Sequence, residues 1–227
     1  MGLSARDIFQ RVTIETQDDS SIRWTMPELV MYFNDGQRDI LTHRPDALDV
    51  RFTHTLIAGA TQALPEAYAK LIDVVANAVG SKRAIRQVER EILDAQIPSW
   101  RGMAPATVIK HFCFDPKEST VFEVYPPAAA GASIVLVASA KPTDITMPDA
   151  GETWEDASGE TSLPDEFGNA LRDYIVYRMY LKDSKYTAND ARSMARYQAY
   201  ATSLGIEAQT TLAISPKGRS GNPNVTA

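Results

Sequence analysis

The hydrophobic period of this 227-residue chain changes twice: it is helical over the first 45 residues, two from residue 49 to about 145, and helical again from about 163 to 204. Helices and strands expose different faces to a core, so such a chain must combine a helix-rich part with a strand-rich part. Runs of strands and runs of helices without regular alternation point to the α+β class.

Two helices are expected at the start. Ser4 can cap a segment in which Ile8 and Val12 recur at helical spacing beside Leu3 and Phe9, and Gln17-Asp18-Asp19-Ser20-Ser21 ends it as a loop. Thr25 with Glu28 three residues later makes a capping-box pattern, Pro27 sits in the tolerant first turn, and Leu29, Tyr32, Phe33, Ile40 and Leu41 continue one apolar face. Pro45 pushes the residue before it out of helical geometry and so limits the second helix. Gly36 lies inside that helix, where it costs about 1 kcal/mol relative to alanine, so another helix is expected to cross against it.

In the middle region, Val50, Phe52 and His54 alternate with Arg51, Thr53 and Thr55, and residues 71–79 are rich in β-branched side chains. Segments 108–114, 121–125 and 134–140 read as an antiparallel meander, joined first by Asp115-Pro116-Lys117-Glu118 and then by Pro126-Pro127 with Gly131. One helix over 82–95 should interrupt the strands, with Ile85, Val88, Ile92 and Leu93 on a single stripe.

No lysine or arginine occurs between residues 141 and 172, while eight carboxylates do. Asp149, Glu152, Glu155, Asp156 and Glu160 make its centre an acidic surface loop. Two helices follow. The first carries Leu163, Phe167, Ala170, Leu171, Tyr174, Ile175, Arg178 and Leu181; the second has a stripe of Ala188, Ala191, Ala195, Ala199 and Thr202, small enough for a partner helix to approach closely. Thr187 is placed to cap its start and Gly205 to follow its end.

Six of nine tyrosines fall in these two helices, and Tyr177, Tyr180, Tyr197 and Tyr200 are candidate subunit or partner contacts, because tyrosine joins a large apolar ring to a polar tip. The same rings could instead close the bundle internally. Residues 206–227 are too polar to fold on themselves, with Ile206, Leu212, Ile214 and Val225 as their large apolar residues and Lys217 and Arg219 as the charges after Glu207. Such a tail is expected to be held by a neighbouring subunit or a partner.

Charge and chemistry narrow the function. With 23 Lys+Arg against 29 Asp+Glu the net charge is −6, which argues against a broadly basic nucleic-acid binder. The single cysteine, Cys113, excludes intramolecular disulfides, cysteine zinc sites and iron–sulfur clusters, and suits a reducing compartment. Neither residues 1–10 nor the apolar run 132–140 is long enough for a signal or a membrane span, so neither export nor a membrane partner is expected. His43, His54 and His111 share no zinc-ligand spacing, and the acidic loop does not follow calcium-loop spacing. His111 and Cys113, two apart on a strand, could form a thiol–imidazole pair, but no third group to orient them is evident. The sequence has no G-x-S-x-G, phosphate loop, dinucleotide fingerprint or H-E-x-x-H, so no catalytic, cofactor or metal residues are expected. A hydrolase built on two converging carboxylates remains the enzyme alternative.

Several stretches carry a resemblance. They are Arg23-Trp24-Thr25-Met26-Pro27-Glu28-Leu29 running into Asn34-Asp35-Gly36-Gln37-Arg38-Asp39-Ile40 and then Arg44-Pro45-Asp46-Ala47, with Leu171-Arg172-Asp173-Tyr174, Tyr180-Leu181-Lys182-Asp183-Ser184 and Ala195-Arg196-Tyr197-Gln198-Ala199-Tyr200. Ala63-Leu64-Pro65, Ile97-Pro98-Ser99-Trp100 and Val124-Tyr125-Pro126-Pro127 lie between them. Over roughly residues 5–205 the chain resembles head-to-tail adaptor (connector, or head-completion) proteins of tailed bacteriophages. The resemblance implies a helical bundle made by both chain ends, 1–47 and 162–205, around an inserted, mainly antiparallel β region, 48–147, with the acidic loop at 148–161 and an extended C-terminal tail at 206–227. It implies a non-enzymatic homo-oligomer, a ring of twelve, under the portal protein and above a tail or nozzle protein. Double-stranded DNA would pass through without sequence-specific binding, and the protein would sit in the virion neck after assembly in the host cytoplasm. Portal or neighbour contacts would then fall on Ile206, Leu212, Ile214, Lys217, Arg219 and the four tyrosines. Another neck or tail-completion protein is the structural alternative.

Overall fold

The computed structural model describes residues 3–146, 153–183 and 187–205. Along them run α1 (Ala5–Thr16), α2 (Met26–His43), β1 (Asp49–Thr55), β2 (Gly59–Ala63), β3 (Tyr68–Asn77), β4 (Arg86–Gln87), α3 (Arg90–Gln96), β5 (His111–Phe114), β6 (Val121–Ala128), β7 (Ser133–Ala140), α4 (Gly168–Lys182) and α5 (Thr187–Leu204). The fold is α+β. It divides into a helical unit, Met1–Leu48 with Pro142–Ala227, and a β unit, Asp49–Lys141.

In the helical unit, the Asp7 N–H donates to the Ser4 hydroxyl at 3.0 Å and Gln17 closes α1 with a left-handed φ of 56°. The Thr25 N–H donates to the Glu28 carboxylate at 3.0 Å, and α2 stops two residues before Pro45, as the sequence predicts. Phe9 packs on Phe33 with ring centroids 5.6 Å apart, and Ile8, Ile40, Leu171, Ile175 and Val176 are sealed around them. Each such burial contributes roughly 1.5–3 kcal/mol. Gly36 has the expected crossing: a Cβ there would stand 2.6 Å from Leu171 Cδ1 and 2.9 Å from Tyr174 Cδ1, so α4 comes as close as only glycine permits. Leu163 and Phe167 belong to this core but precede α4, Phe167 in the short turn Asp165–Phe167.

In the β unit, one sheet has the order β1-β7-β3 and is wholly antiparallel; the other has the order β2-β6-β5-β4, with only β4 and β5 parallel. Leu71, Val74, Ile134, Leu136 and Ala138 from the first meet Phe112, Phe122 and Val124 from the second in one core. The opposite face of the second sheet is covered at Cys113 by Leu93 and Trp100.

Three expectations are corrected here. The meander holds for β5 and β6, whose register pairs His111 with Tyr125 and Cys113 with Glu123, but β7 leaves that sheet and becomes the centre of the other. Pro126 and Pro127 lie inside β6 rather than in a turn, their carbonyl side still in use: the Pro127 carbonyl accepts from Ala106 at 2.8 Å. The helix expected over 82–95 is confined to Arg90–Gln96. Ahead of it, amides that a helix would need are spent on strands: Ile85 N–H bonds the Val75 carbonyl at 3.1 Å, Arg86 that of Lys110 at 3.2 Å and Val88 that of Phe112 at 2.9 Å. The apolar stripe is divided accordingly, Ile85 to the core between the sheets and Leu93 to the cluster over Cys113.

Candidate interaction surfaces

The segment Asn34 to Asp39 of α2 gathers the helical unit, and each of its side chains has a task. Asn34 reads the backbone of Ile145 as a strand would, donating to its carbonyl at 3.2 Å and accepting its N–H at 3.0 Å. Gln37, fully buried, donates to the Thr143 carbonyl at 3.3 Å and accepts from the Thr161 hydroxyl at 3.0 Å and the Ser162 N–H at 2.8 Å. A buried amide with its partners met fixes geometry, and here two returning segments are fastened to one helix. Arg38 pairs with Asp144, and Asp39 accepts the hydroxyl proton of Tyr200 on α5.

A second network ties three helices. Asp173, on α4 and almost fully enclosed, takes Arg172 at 2.7 Å and Arg196 of α5 at 3.1 Å, while Arg196 also meets Glu15 of α1. Two carboxylates and two guanidiniums balance, which is what permits the charge to be enclosed.

Among the tyrosines singled out from sequence, Tyr200 is 1% exposed, with its ring 5.4 Å from Tyr174, and Tyr180 stands edge-on to Trp24 at 6.0 Å. Both are occupied within this chain. Burial first, and then the hydrogen bond to Asp39, raises the Tyr200 pKa above its ordinary value. Tyr177 is half-buried and Tyr197 is 41% exposed, their centroids 5.3 Å apart, so an aromatic edge reaches solvent at α4 and α5.

The small-residue stripe of α5 is a further correction. Ala188, Ala191, Ala195, Ala199 and Thr202 face solvent together with Met194, and the buried face is Asn189, Ser193, Tyr200 and Leu204. Hydrogen bonds decide the orientation: Asn189 donates to Asp183 at 3.1 Å, Ser193 to the Tyr177 carbonyl at 3.4 Å, and Arg196 to Asp173 at 3.1 Å. Thr187 opens the helix as its first residue, and Gly205 follows its end at φ +62°, as expected of the glycine there.

Of the acidic loop, Glu155, Asp156 and Glu160 are exposed. Asp156 accepts the Thr153 N–H at 2.9 Å and Glu160 lies in an antiparallel bridge to Ser4, so this part of the loop is laid against the start of α1. Asp149 and Glu152, and Ile206, Leu212, Ile214, Lys217 and Arg219 of the tail, lie outside the described residues.

The thiol–imidazole pair does not form. His111 stacks on Tyr125 at 6.1 Å and its buried Nδ1 has no hydrogen-bond partner, while Cys113 is enclosed with Trp100 and Leu93. Burial, and then the Glu123 carboxylate, push the Cys113 thiol up to about 11, the opposite of an activated nucleophile. Glu123 is itself bound by Arg101 at 2.7 and 3.0 Å and by Arg90 at 2.9 Å. Among the described residues no group of three His, Cys, Asp or Glu side chains is placed to hold a metal, and no helix is long and apolar enough to cross a membrane.

Asn34, Gln37 and Asp173 lie in the stretches that carry the family resemblance, yet sequence reasoning gave none of them a role; the signal for a role was polarity on the apolar side of a helix. One family model, described as SU10 adaptor protein, matches residues 3–224, which takes in both units. No curated protein matches the chain.

Proposed function

The chain belongs to the SU10 adaptor protein family, and on that premise we propose that it is a ring-forming structural subunit of the phage neck, seated under the portal protein. The observation that carries this reading is the extent of the match, which covers the helical and β units together rather than one module of them. In this reading twelve copies extend the DNA channel and offer the next tail or nozzle component its docking surface. Tyr177, Tyr197 and the tail residues Ile206, Leu212, Ile214, Lys217 and Arg219 carry the contacts to the portal or to the adjoining subunit. A subunit with net charge −6 suits a channel through which duplex DNA slides, because a wall that is not broadly cationic releases few counterions and traps little. The protein is placed in the neck of the virion, reached after assembly in the host cytoplasm.

A ring uses a heterologous interface, in which two different patches of each subunit meet. The test is reconstitution with the cognate portal, imaged by cryo-electron microscopy. The expected result is a closed ring of this chain on the portal's tail side with residues 206–227 against the portal. A ring located on a more distal tail element would favour a neck or tail-completion role. Catalytic turnover of a glycoside or ester, lost on carboxylate substitution, would overturn the structural reading.

A further inference from the structure

The turn between β3 and β4 carries Lys82 and Arg83, β4 opens with Arg86, and Lys110 joins them from the chain that enters β5. Their grouping is built. Asn77, 3% exposed, donates through its side chain to the carbonyls of Arg83 at 2.9 Å and Ile109 at 2.8 Å, and accepts the Ile109 N–H at 2.8 Å. Arg86 is in register with His111, and its N–H donates to the Lys110 carbonyl. All four cations are exposed, and among the described residues none is in an ion pair. They stand at β4, the two-residue strand at the end of its sheet, where the stretch leading into it is fastened to β3 by the Ile85 N–H on the Val75 carbonyl and the Asn77 N–H on the Arg83 carbonyl.

Opposite charge is available elsewhere in the chain. The segment between residues 141 and 172 has eight carboxylates and no base, and its exposed Glu155 and Glu160 are in no ion pair among the described residues. We propose that the Lys82, Arg83, Arg86 and Lys110 cluster receives the exposed Glu155 and Glu160 of a second copy of this chain, making the two unlike patches of the subunit-to-subunit contact. The proposal rests on the ring reading above. Duplex DNA is the weaker occupant, because the acidic segment supplies a complementary surface at the same concentration as the cluster itself. Exposed pairs of this kind set register and encounter rate more than affinity, which suits a ring that closes only when its members are correctly ordered.

The experiment mixes nitrogen-15-labelled and unlabelled full-length protein at low salt, joins amines to carboxylates with a zero-length carbodiimide, and maps the peptides by mass spectrometry. The expected result is mixed-isotope links from Lys82 or Lys110 to carboxylates of the acidic segment. They should fall at least tenfold in the K82E/R83E/R86E variant and in Glu155→Lys with Glu160→Lys, and return to at least half when both sets are combined in one chain. Links found only within one isotope, or no links together with duplex DNA binding that the triple variant abolishes, would overturn the proposal. Mass photometry separates it from the ring reading. Closed rings that form unchanged in the triple variant sink this contact and leave the ring; mixed-isotope links in open or dimeric species uphold the contact and sink the ring.

Discussion

Helices α4 and α5 are joined along their length yet bury opposite kinds of side chain. Of the fifteen residues of α4, nine are buried, among them Leu171, Ile175, Val176 and Met179. The eighteen residues of α5 bury Asn189, Ser193, Tyr200 and Leu204 and turn Ala188, Ala191, Met194 and Ala195 outward. A hydrogen bond contributes a net of about 0.5–1.5 kcal/mol, whereas a core leucine is worth several times that, so α4 supplies far more of the core than α5, which adds to it chiefly through Tyr200 and Leu204, the rest of its inner face being hydrogen-bonded. An apolar surface withheld from the subunit's own core is what a docking face requires.

The contrast can be broken most directly at Leu171. Replacing it by alanine should lower unfolding free energy by about 2–5 kcal/mol in urea titration, since Leu171 is fully buried between α2 and α4. A loss no greater than that of Ser193→Ala on the hydrogen-bonded face of α5 would void the comparison. Next in size is Gly36→Val. Its new side chain would collide with Leu171 and Tyr174, and a cost of about 1–3 kcal/mol, read as a lower melting temperature, outweighs the gain in helix propensity.

Tyr200→Phe should cost about 1 kcal/mol by removing the bond to Asp39, and it also supplies a pH signature. Burial chiefly raises the pKa values of Tyr200 and Tyr174 above the ordinary 10.0. A raised folded pKa means that this contribution is complete below pH 10.0 and drains away as pH climbs past it, so alkaline unfolding should begin where α5 meets α4. Thermal melts of the wild type and Y200F should therefore converge in strongly alkaline buffer; curves that stay parallel would contradict the assignment. Smallest of all is Met194→Glu, at an exposed position, which should shift stability by less than about 0.5 kcal/mol. If α5 is a docking face, the same change should weaken ring or portal association at least tenfold, roughly 1.4 kcal/mol. Unchanged association would reduce α5 to a solvent-facing helix.

What could be read from sequence was local. The cap at Ser4, the capping box of Thr25 with Glu28, the stop at Pro45 and the crossing at Gly36 depend on neighbours a few residues away or on a residue with one main use, and all four stand. The departure of β7 to the other sheet could not be read, because alternation marks a strand without naming its partner. The segment 82–88 looked helical by spacing, and only distant carbonyls on Val75, Lys110 and Phe112 make it otherwise. The face of α5 was misjudged for a related reason: small residues permit close approach but do not compel it, and polar partners supplied by Asp173 and Asp39 chose the opposite side. Of the candidate surfaces, the tyrosines were found as a group, but their division into enclosed Tyr180 and Tyr200 and outlying Tyr177 and Tyr197 needed the fold.

The clasp of Asn34 and Gln37 on Thr143, Ile145, Thr161 and Ser162 also sets an order of birth on the ribosome. When α2 is complete, the strip of α4 that covers Gly36 is still about 125 codons from being made. At 5–20 residues per second that is roughly 6–25 s, in which Phe33 and Ile40 have only α1 to shelter them. The β unit is translated in that gap and can finish folding first. The amino-terminal helices are therefore a half-made socket that waits for its own carboxyl-terminal half, and a nascent chain stalled between residues 48 and 168 is the form of this protein most in need of a chaperone.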